Sequence, residues 1–346
     1  MIYYGLLFYT ITIYFFIKYK FKFEKFIWIL WFIPMWLLMG MRWGVGADFF
    51  SYKYIFDNAQ KNIFIQFDYI EKGFLVLNWI VHKFTSDSVC LFLICAFIII
   101  FLFLKEIQCS SSDCLMSVIL FISLGYYFNS MNVMRQFIAV GISFYSIKYF
   151  KTKEWYKYLI LIIIASLFHK TVLILVPVYF MIIFLHDRLF YLVTFVCFAL
   201  ISLFSSELFS GLAQRSLYFS KFMVNSTTQQ RISLPNIVLG IVVFIACIII
   251  YKDNNMNVYT KYTWLAVLSF IFLNKYGTAA TRIGFYFTPV YILAIPDVIH
   301  SMKDRRSKLI AYLTVIFICF IYLNIILQTS VETGNNFIPY NSILDK

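Results

Sequence analysis

The sequence predicts an all-α, polytopic integral membrane protein with about twelve transmembrane helices and long extracytoplasmic loops. Three observations carry that prediction. The 346-residue chain is 62% hydrophobic and only 13% charged, with a mean hydropathy of +0.83, whereas a soluble domain carries roughly 45–50% apolar and about 25% charged residues. The apolar residues form long runs without period-two alternation, and Gly (12) and Pro (6) are scarce, which points to helices and away from a barrel. Lysine and arginine gather in short connections that recur on one side of the apolar runs.

Taken in order, the apolar runs place spans near 2–17, 26–41, 88–104, 115–130, 133–150, 158–168, 171–185, 189–204, 236–251, 262–276, 283–299 and 309–328. Several are shorter than the roughly 20 residues of a straight crossing. The pair 158–168 and 171–185 reads either as one long tilted helix or as two short ones meeting at His169 and Lys170. The stretch 71–84 is too short and polar to span and reads as an interfacial or re-entrant helix.

More than half of the 29 basic residues fall on short connections of one side, among them Lys18–Lys25, Lys148–Lys157, Arg188, Lys252, Lys261 and Lys303–Lys308. That side is therefore assigned to the cytoplasm. Both termini are then extracytoplasmic, as are the loops at about 42–87 and 205–235 and the tail at about 329–346. The whole chain, 1–346, reads as one polytopic membrane domain. Met1–Phe16 lacks a basic start and a small-residue cleavage site, so no cleavable signal is expected.

The formal charge of +13 sits in loops between apolar runs. It reads as a topology signal, and nucleic acid is not an expected partner. The seven cysteines are scattered without CxxC or Cys/His spacing, so they read as small hydrophobes and no metal site is expected.

Polar chemistry collects on the outward side. In 41–52, Arg42 closes a helix, Gly44 and Gly46 permit a tight loop, and Asp48 and Tyr52 share a face if the segment turns helical. The plain alternative there is a snorkelling arginine and a surface turn. In 129–150, Asn129, Asn132, Arg135 and Gln136 cluster at the outer end of a span. An arginine at that depth needs an anion or a wet cavity, because an unmet charge costs several kcal/mol.

His169, between two apolar runs, serves either as a helix–helix hydrogen bond or as a base or phosphate contact. Arg282 opens a span after the small residues Gly277, Ala279 and Ala280, while Arg215 and Arg231 add charge to the 205–235 loop, Arg231 as ordinary solvated charge. Such an arginine array suits a membrane-embedded diphosphate, since the guanidinium fork holds phosphate oxygens bidentately and stays charged.

The ordered set of motifs is similar to the EpsG family of bacterial exopolysaccharide proteins. Arg42, Gly46, Asp48 and Tyr52 come first, followed by Glu71, Gly73 and Phe74. Asn132, Met134, Arg135, Gln136 and Ala139 follow, then Ala165, Phe168 and His169. Arg282 with Tyr286 and the tail Ile338, Pro339 and Tyr340 match later landmarks, so the resemblance runs from about residue 40 to the end. Lys72 stands where members of the family often have proline.

The resemblance implies a Wzy-like polymerase of O-antigen, capsule or exopolysaccharide. Such a glycosyltransferase works without metal or nucleotide cofactor. It moves a growing glycan from undecaprenyl diphosphate onto a lipid-linked repeat unit at the outer membrane face, with a chain-length regulator as a further partner. On that basis Arg135 and Arg282 are expected to hold the donor diphosphate and Arg42 to assist or meet the acceptor. Arg215, Gln136, Asn132 and Tyr52 are expected to line the substrate. Asp48, His169 and Glu71 are the candidate bases for the acceptor hydroxyl, Asp48 ranked first. The leading alternative is a flippase of lipid-linked oligosaccharide, which would carry polar residues deep within helices reached from both sides.

Overall fold

A computed structural model of the chain describes residues 2–20, 24–60, 62–215, 234–251, 258–273, 282–332 and 334–345. Among these the regular structure is helical; the one isolated antiparallel bridge joins Arg42 to Ser342. Two compact units emerge where the sequence shows no boundary: Met1–Val172 with Met302–Lys346, and Leu173–Ser301.

In the first unit α1 (Ile2–Lys20) and α2 (Glu24–Gly40) lead into a loop and three short helices, α3 (Phe49–Asp57), α4 (Ile63–Gln66) and α5 (Lys72–Phe84). There follow α6 (Ser88–Ser110), α7 (Cys114–Ser123), α8 (Tyr126–Asn132), α9 (Met134–Ser146), α10 (Lys148–Thr152) and α11 (Trp155–Ser166). Helix α6 is the hub, packing on α2, α9, α3, α5 and α7. Its N-terminus is set by Asp87, whose carboxylate accepts from Val89 N–H at 3.0 Å. It buries Phe92, Cys95, Ile99 and Phe103 but leaves Ile94, Phe97 and Phe101 exposed along one stripe.

The remaining helices fall in both parts of the chain: α12 (Leu175–Phe184), α13 (Asp187–Arg215), α14 (Leu234–Ile250), α15 (Val258–Leu273), α16 (Tyr291–Ser301) and α17 (Arg305–Glu332). The last, α17, returns to the first unit and packs on α7. It buries Cys319, Leu323 and Leu327, while Leu309, Leu313, Phe317 and Phe320 stay exposed. Exposed apolar stripes on this scale are unfavourable in water and compatible with acyl chains, consistent with a membrane protein.

Among the described residues two helices, α6 and α17, are by length and composition long and apolar enough to cross a bilayer, or three if α7 and α8, bent by 45° at their junction, form one span. The apolar helical stretches Ile2–Ile17, Phe26–Gly40, Trp155–Ser166, Lys170–Phe184, Leu234–Ile250 and Val258–Leu273 are each shorter than 18 residues. The expected span 133–150 is divided into α9 and α10. The expected helix 283–299 begins as two 3-10 stretches, Arg282–Tyr286 and Thr288–Val290, before α16; Pro289 removes one backbone donor there. The 158–185 stretch is interrupted between α11 and a 3-10 turn at Lys170–Ile174. The 71–84 segment is helical, with Phe74, Leu75, Asn78 and Val81 buried on one face.

Within the second unit, α15 packs on α14 and α13. Lys261, expected in a connection, lies inside α15 and is buried. Its ammonium donates to the carbonyl of Ile182 at 3.0 Å and pairs with Asp187 Oδ1 at 3.0 Å. It therefore satisfies the end of α12 and meets the first residue of α13, where a cation suits the helix C-terminus. Arg231, most of the 205–235 loop (216–233), Lys252 and the small residues Gly277, Ala279 and Ala280 lie outside the described residues.

Candidate functional site

The loop after α2 is organised by Arg42. Its side chain is fully buried, donating from Nε to Val45 O at 3.1 Å, from Nη2 to Met131 O at 2.9 Å and from Nη1 to Met39 O. The guanidinium carbon lies 4.8 Å from the Phe92 ring centre. Burial pulls its pKa down to about 10, which leaves it charged at neutral pH. Arg42 was expected to touch diphosphate or acceptor; here its fork is engaged with three carbonyls, tying the end of α2, the loop and α8 together.

Gly46 makes that approach possible. Its φ is +95°, and a Cβ there would stand 2.9 Å from Met131 O. The loop leads to Asp48, which precedes α3, so Asp48 and Tyr52 fall one turn apart as expected: Tyr52 N–H donates to Asp48 O at 3.0 Å. Asp48 is half-buried, and its own N–H donates to Asn132 Oδ1 at 3.2 Å. Asn132, the last residue of α8, passes the contact on, donating from Nδ2 to Asn335 Oδ1 at 2.7 Å.

The segment after α17 is thereby a strap across the loop. Gly46 N–H donates to Asn335 O at 2.8 Å, Trp43 N–H to Asn341 O at 2.8 Å, and Ile343 N–H to Met41 O at 2.9 Å. The Tyr340 hydroxyl reaches back to Leu38 O at 2.9 Å, and its ring meets Tyr3 edge-on at 5.9 Å.

A second cluster forms where α5 begins. Arg135, in the first turn of α9, donates from Nη1 to Glu71 Oε2 at 2.5 Å. The other oxygen of Glu71 accepts from Lys170 N–H at 3.3 Å. Side-chain exposures of 21% for Arg135 and 12% for Glu71 leave the pair reachable from outside the fold. The turn is held close by Gly73, whose N–H donates to Leu167 O at 2.9 Å. A Cβ at Gly73 would lie 2.6 Å from that same oxygen.

His169, half-buried on this turn, has Nδ1 at 2.7 Å from Thr171 Oγ1. Phe74 lies beneath Arg135 at 5.9 Å and meets buried Tyr52 edge-on at 5.6 Å. That contact joins the second cluster to α3 and Asp48.

Four motif blocks far apart in sequence thus meet in the first unit: 42–52, 71–74, 132–136 and 165–171. Gln136, expected at the substrate, is buried in the core of α9. Arg282 belongs to the second unit, where it opens the 3-10 stretch before α16 and is half-exposed. Arg215 closes α13, and its side chain lies outside the described residues. Reading the sequence did not single out Lys170, Thr171 or Asn335, which act here through a backbone N–H, a hydroxyl and a tail amide. Among the described residues no group of three or more His, Cys, Asp or Glu is placed to hold a metal ion.

The convergence of these blocks has a counterpart in comparison with known proteins: the EpsG family model matches residues 25–342. The chain belongs to the EpsG family. No curated protein and no solved structure matches it. For an EpsG-family chain the membership suggests a polysaccharide-polymerase-like, glycosyltransferase-like role. The matched span takes in both the Arg42 clamp and the Glu71–Arg135 pair.

Proposed function

We propose that this EpsG-family protein polymerises a surface polysaccharide (O-antigen, capsule or exopolysaccharide) from undecaprenyl-diphosphate-linked repeat units at the outer face of the bacterial inner membrane. The observation that carries the reading is the partly exposed Glu71–Arg135 pair, seated on the turn that bears His169. An acceptor hydroxyl oxygen attacks the donor's anomeric carbon as the bond from that carbon to the diphosphate oxygen breaks. Undecaprenyl diphosphate leaves with the bonding electrons, and the hydroxyl proton passes to a base.

Negative charge grows on the departing diphosphate, so a fixed guanidinium stabilises the transition state more than the ground state. Arg135 takes that role. Glu71, with both oxygens accepting from protein donors, is a positioning residue that aims Arg135 and fixes the 167–171 turn. His169, next to Lys170, is the proton acceptor nearest in sequence to this cluster; Asp48, linked through Asn132, is the second candidate. Arg42 positions the loop that carries Asp48.

The placing of both termini on one side has support of its own. Tyr3, near the start of α1, lies against Tyr340 beyond α17, and the tail crosses the 41–48 loop. The start of the first helix and the tail beyond the last therefore lie together, which supports an even number of crossings.

The test uses purified protein in liposomes with its lipid-linked repeat unit, reading glycan length on a gel. Wild type is expected to give a ladder, and Arg135→Ala at matched protein level to give none. His169→Gln is expected to flatten the acid limb of the pH–rate profile, since an acceptor must be unprotonated to work. A ladder from Arg135→Ala at the wild-type rate overturns the assignment of Arg135. Passage of the lipid-linked unit across the bilayer without a ladder makes the protein a flippase.

A further inference from the structure

The geometry points to a saccharide-binding subsite on the α3–α4 turn, separate from the Glu71–Arg135 pair and suited to a hydroxyl-rich stretch of glycan. A hollow of about 410 Å³ opens there, lined by Asn58, Gln60, Asn62 and Gln66. Among the described residues every lining side chain is a carboxamide. That chemistry selects for hydroxyl groups. Each sugar hydroxyl both donates and accepts, and each carboxamide offers an acceptor oxygen beside two donor hydrogens.

The hollow is built on a fixed base. Ala59 N–H donates to Phe56 O at 2.9 Å, Ile63 N–H to Gln60 O at 3.1 Å and Gln66 N–H to Asn62 O at 2.9 Å. Beneath the turn Phe56, Ala59, Ile63 and Phe67 are buried. The nearest acid on α3 is already paired: Lys53 Nζ lies 2.5 Å from Asp57 Oδ2. Tyr54 gives its carbonyl to Asn58 Nδ2 at 2.8 Å, while its ring is 58% exposed. An exposed ring one helical turn before Asn58 gives the C–H face of a sugar a surface to stack on.

Position makes the subsite useful. Asp48 and Asn58 flank the two ends of helix α3, ten residues apart and therefore about 15 Å. A short oligosaccharide covers that span, so a glycan held at the hollow can present one end at the Asp48–Arg135 region. This use of the hollow rests on the polymerase reading; the binding of sugar there does not.

The experiment uses the full-length protein in nanodiscs. Its probe is the repeat-unit oligosaccharide released from the lipid and freed of phosphate, with binding read by saturation-transfer NMR and calorimetry. The double variant Asn62→Ala, Gln66→Ala is expected to raise Kd about tenfold, two lost neutral hydrogen bonds being of that order. It is expected to raise KM for the lipid-linked unit with kcat unchanged. Both side chains are exposed, so the melting temperature should hold, and Gln60→Ala supplies a second, single-site reading.

Arg135→Ala should leave binding of the phosphate-free glycan intact. Wild-type Kd and KM in both amide variants, or no binding by wild type, overturn the subsite. Binding through these amides in a protein that forms no ladder upholds the subsite and overturns the polymerase reading. A ladder with wild-type KM in the amide variants does the reverse.

Discussion

On the proposed reading Arg135 has two separable roles, a structural one toward Glu71 and a chemical one toward diphosphate, and a double-substitution cycle distinguishes them. The pair is short, 2.5 Å, and mostly shielded, with 21% and 12% of the side chains exposed. A hydrogen bond between charged groups contributes about 1.5–3 kcal/mol, and partial exposure reduces this to about 1–2 kcal/mol. Arg135→Met alone removes the bond and leaves the Glu71 carboxylate without its cation, so stability should fall by about 2 kcal/mol. Glu71→Gln alone keeps an oxygen for Lys170 N–H and should cost about 1 kcal/mol.

With both substitutions the stranded charge disappears, and stability should return to within about 1 kcal/mol of wild type. Activity should not follow. Losing a donor that meets charge in the transition state costs about 10²–10³ in rate, and restoring the fold does not restore that donor. The assays are thermal unfolding in detergent and ladder formation from the lipid-linked unit, at equal protein amounts. Polymer made by the double variant at near wild-type rate refutes the reasoning, because Arg135 would then serve the fold alone.

Three further outcomes follow from the same geometry. Gly73→Ala places a methyl 2.6 Å from Leu167 O, so α5 and the 167–171 turn must part; ladder formation should fall at least tenfold with helical content unchanged by circular dichroism. Asn132→Ala severs both Asp48 N–H and Asn335 from α8, and limited proteolysis should then cut the 335–345 strap faster than in wild type. Arg42→Lys keeps the charge but cannot serve the three carbonyls the fork now meets; a loss of about 2–3 kcal/mol in unfolding free energy is expected.

The helical class was legible because lipid imposes it: a chain this apolar has few other ways to satisfy its backbone. Lengths were less legible. Hydropathy averages over windows and does not see where a backbone turns, so 115–130 reads as one run although Leu124 and Gly125 divide α7 from α8. Lys261 misleads for a related reason. Its charge signals a loop, yet it is spent inside α15 on the carbonyl end of α12 and on Asp187. A sequence displays a charge but not the partner that makes its burial tolerable.

The same limit governs the site, with a mechanistic consequence. Glu71 and Arg135 were each visible as functional candidates, one as a base and one as a phosphate ligand, but nothing in a separation of 64 residues shows that they bind each other. Once they do, their roles change together. A carboxylate that holds a guanidinium with one oxygen and a backbone N–H with the other is engaged in geometry, so the proposed mechanism gives the proton to His169 or Asp48. Arg42 undergoes the same reassignment, from ligand to clamp, since its full burial leaves diphosphate no approach. Of the arginines expected at the diphosphate, Arg135 is the one in the first unit that combines a fixed orientation with partial exposure, and these are the two properties that stabilising a leaving diphosphate requires.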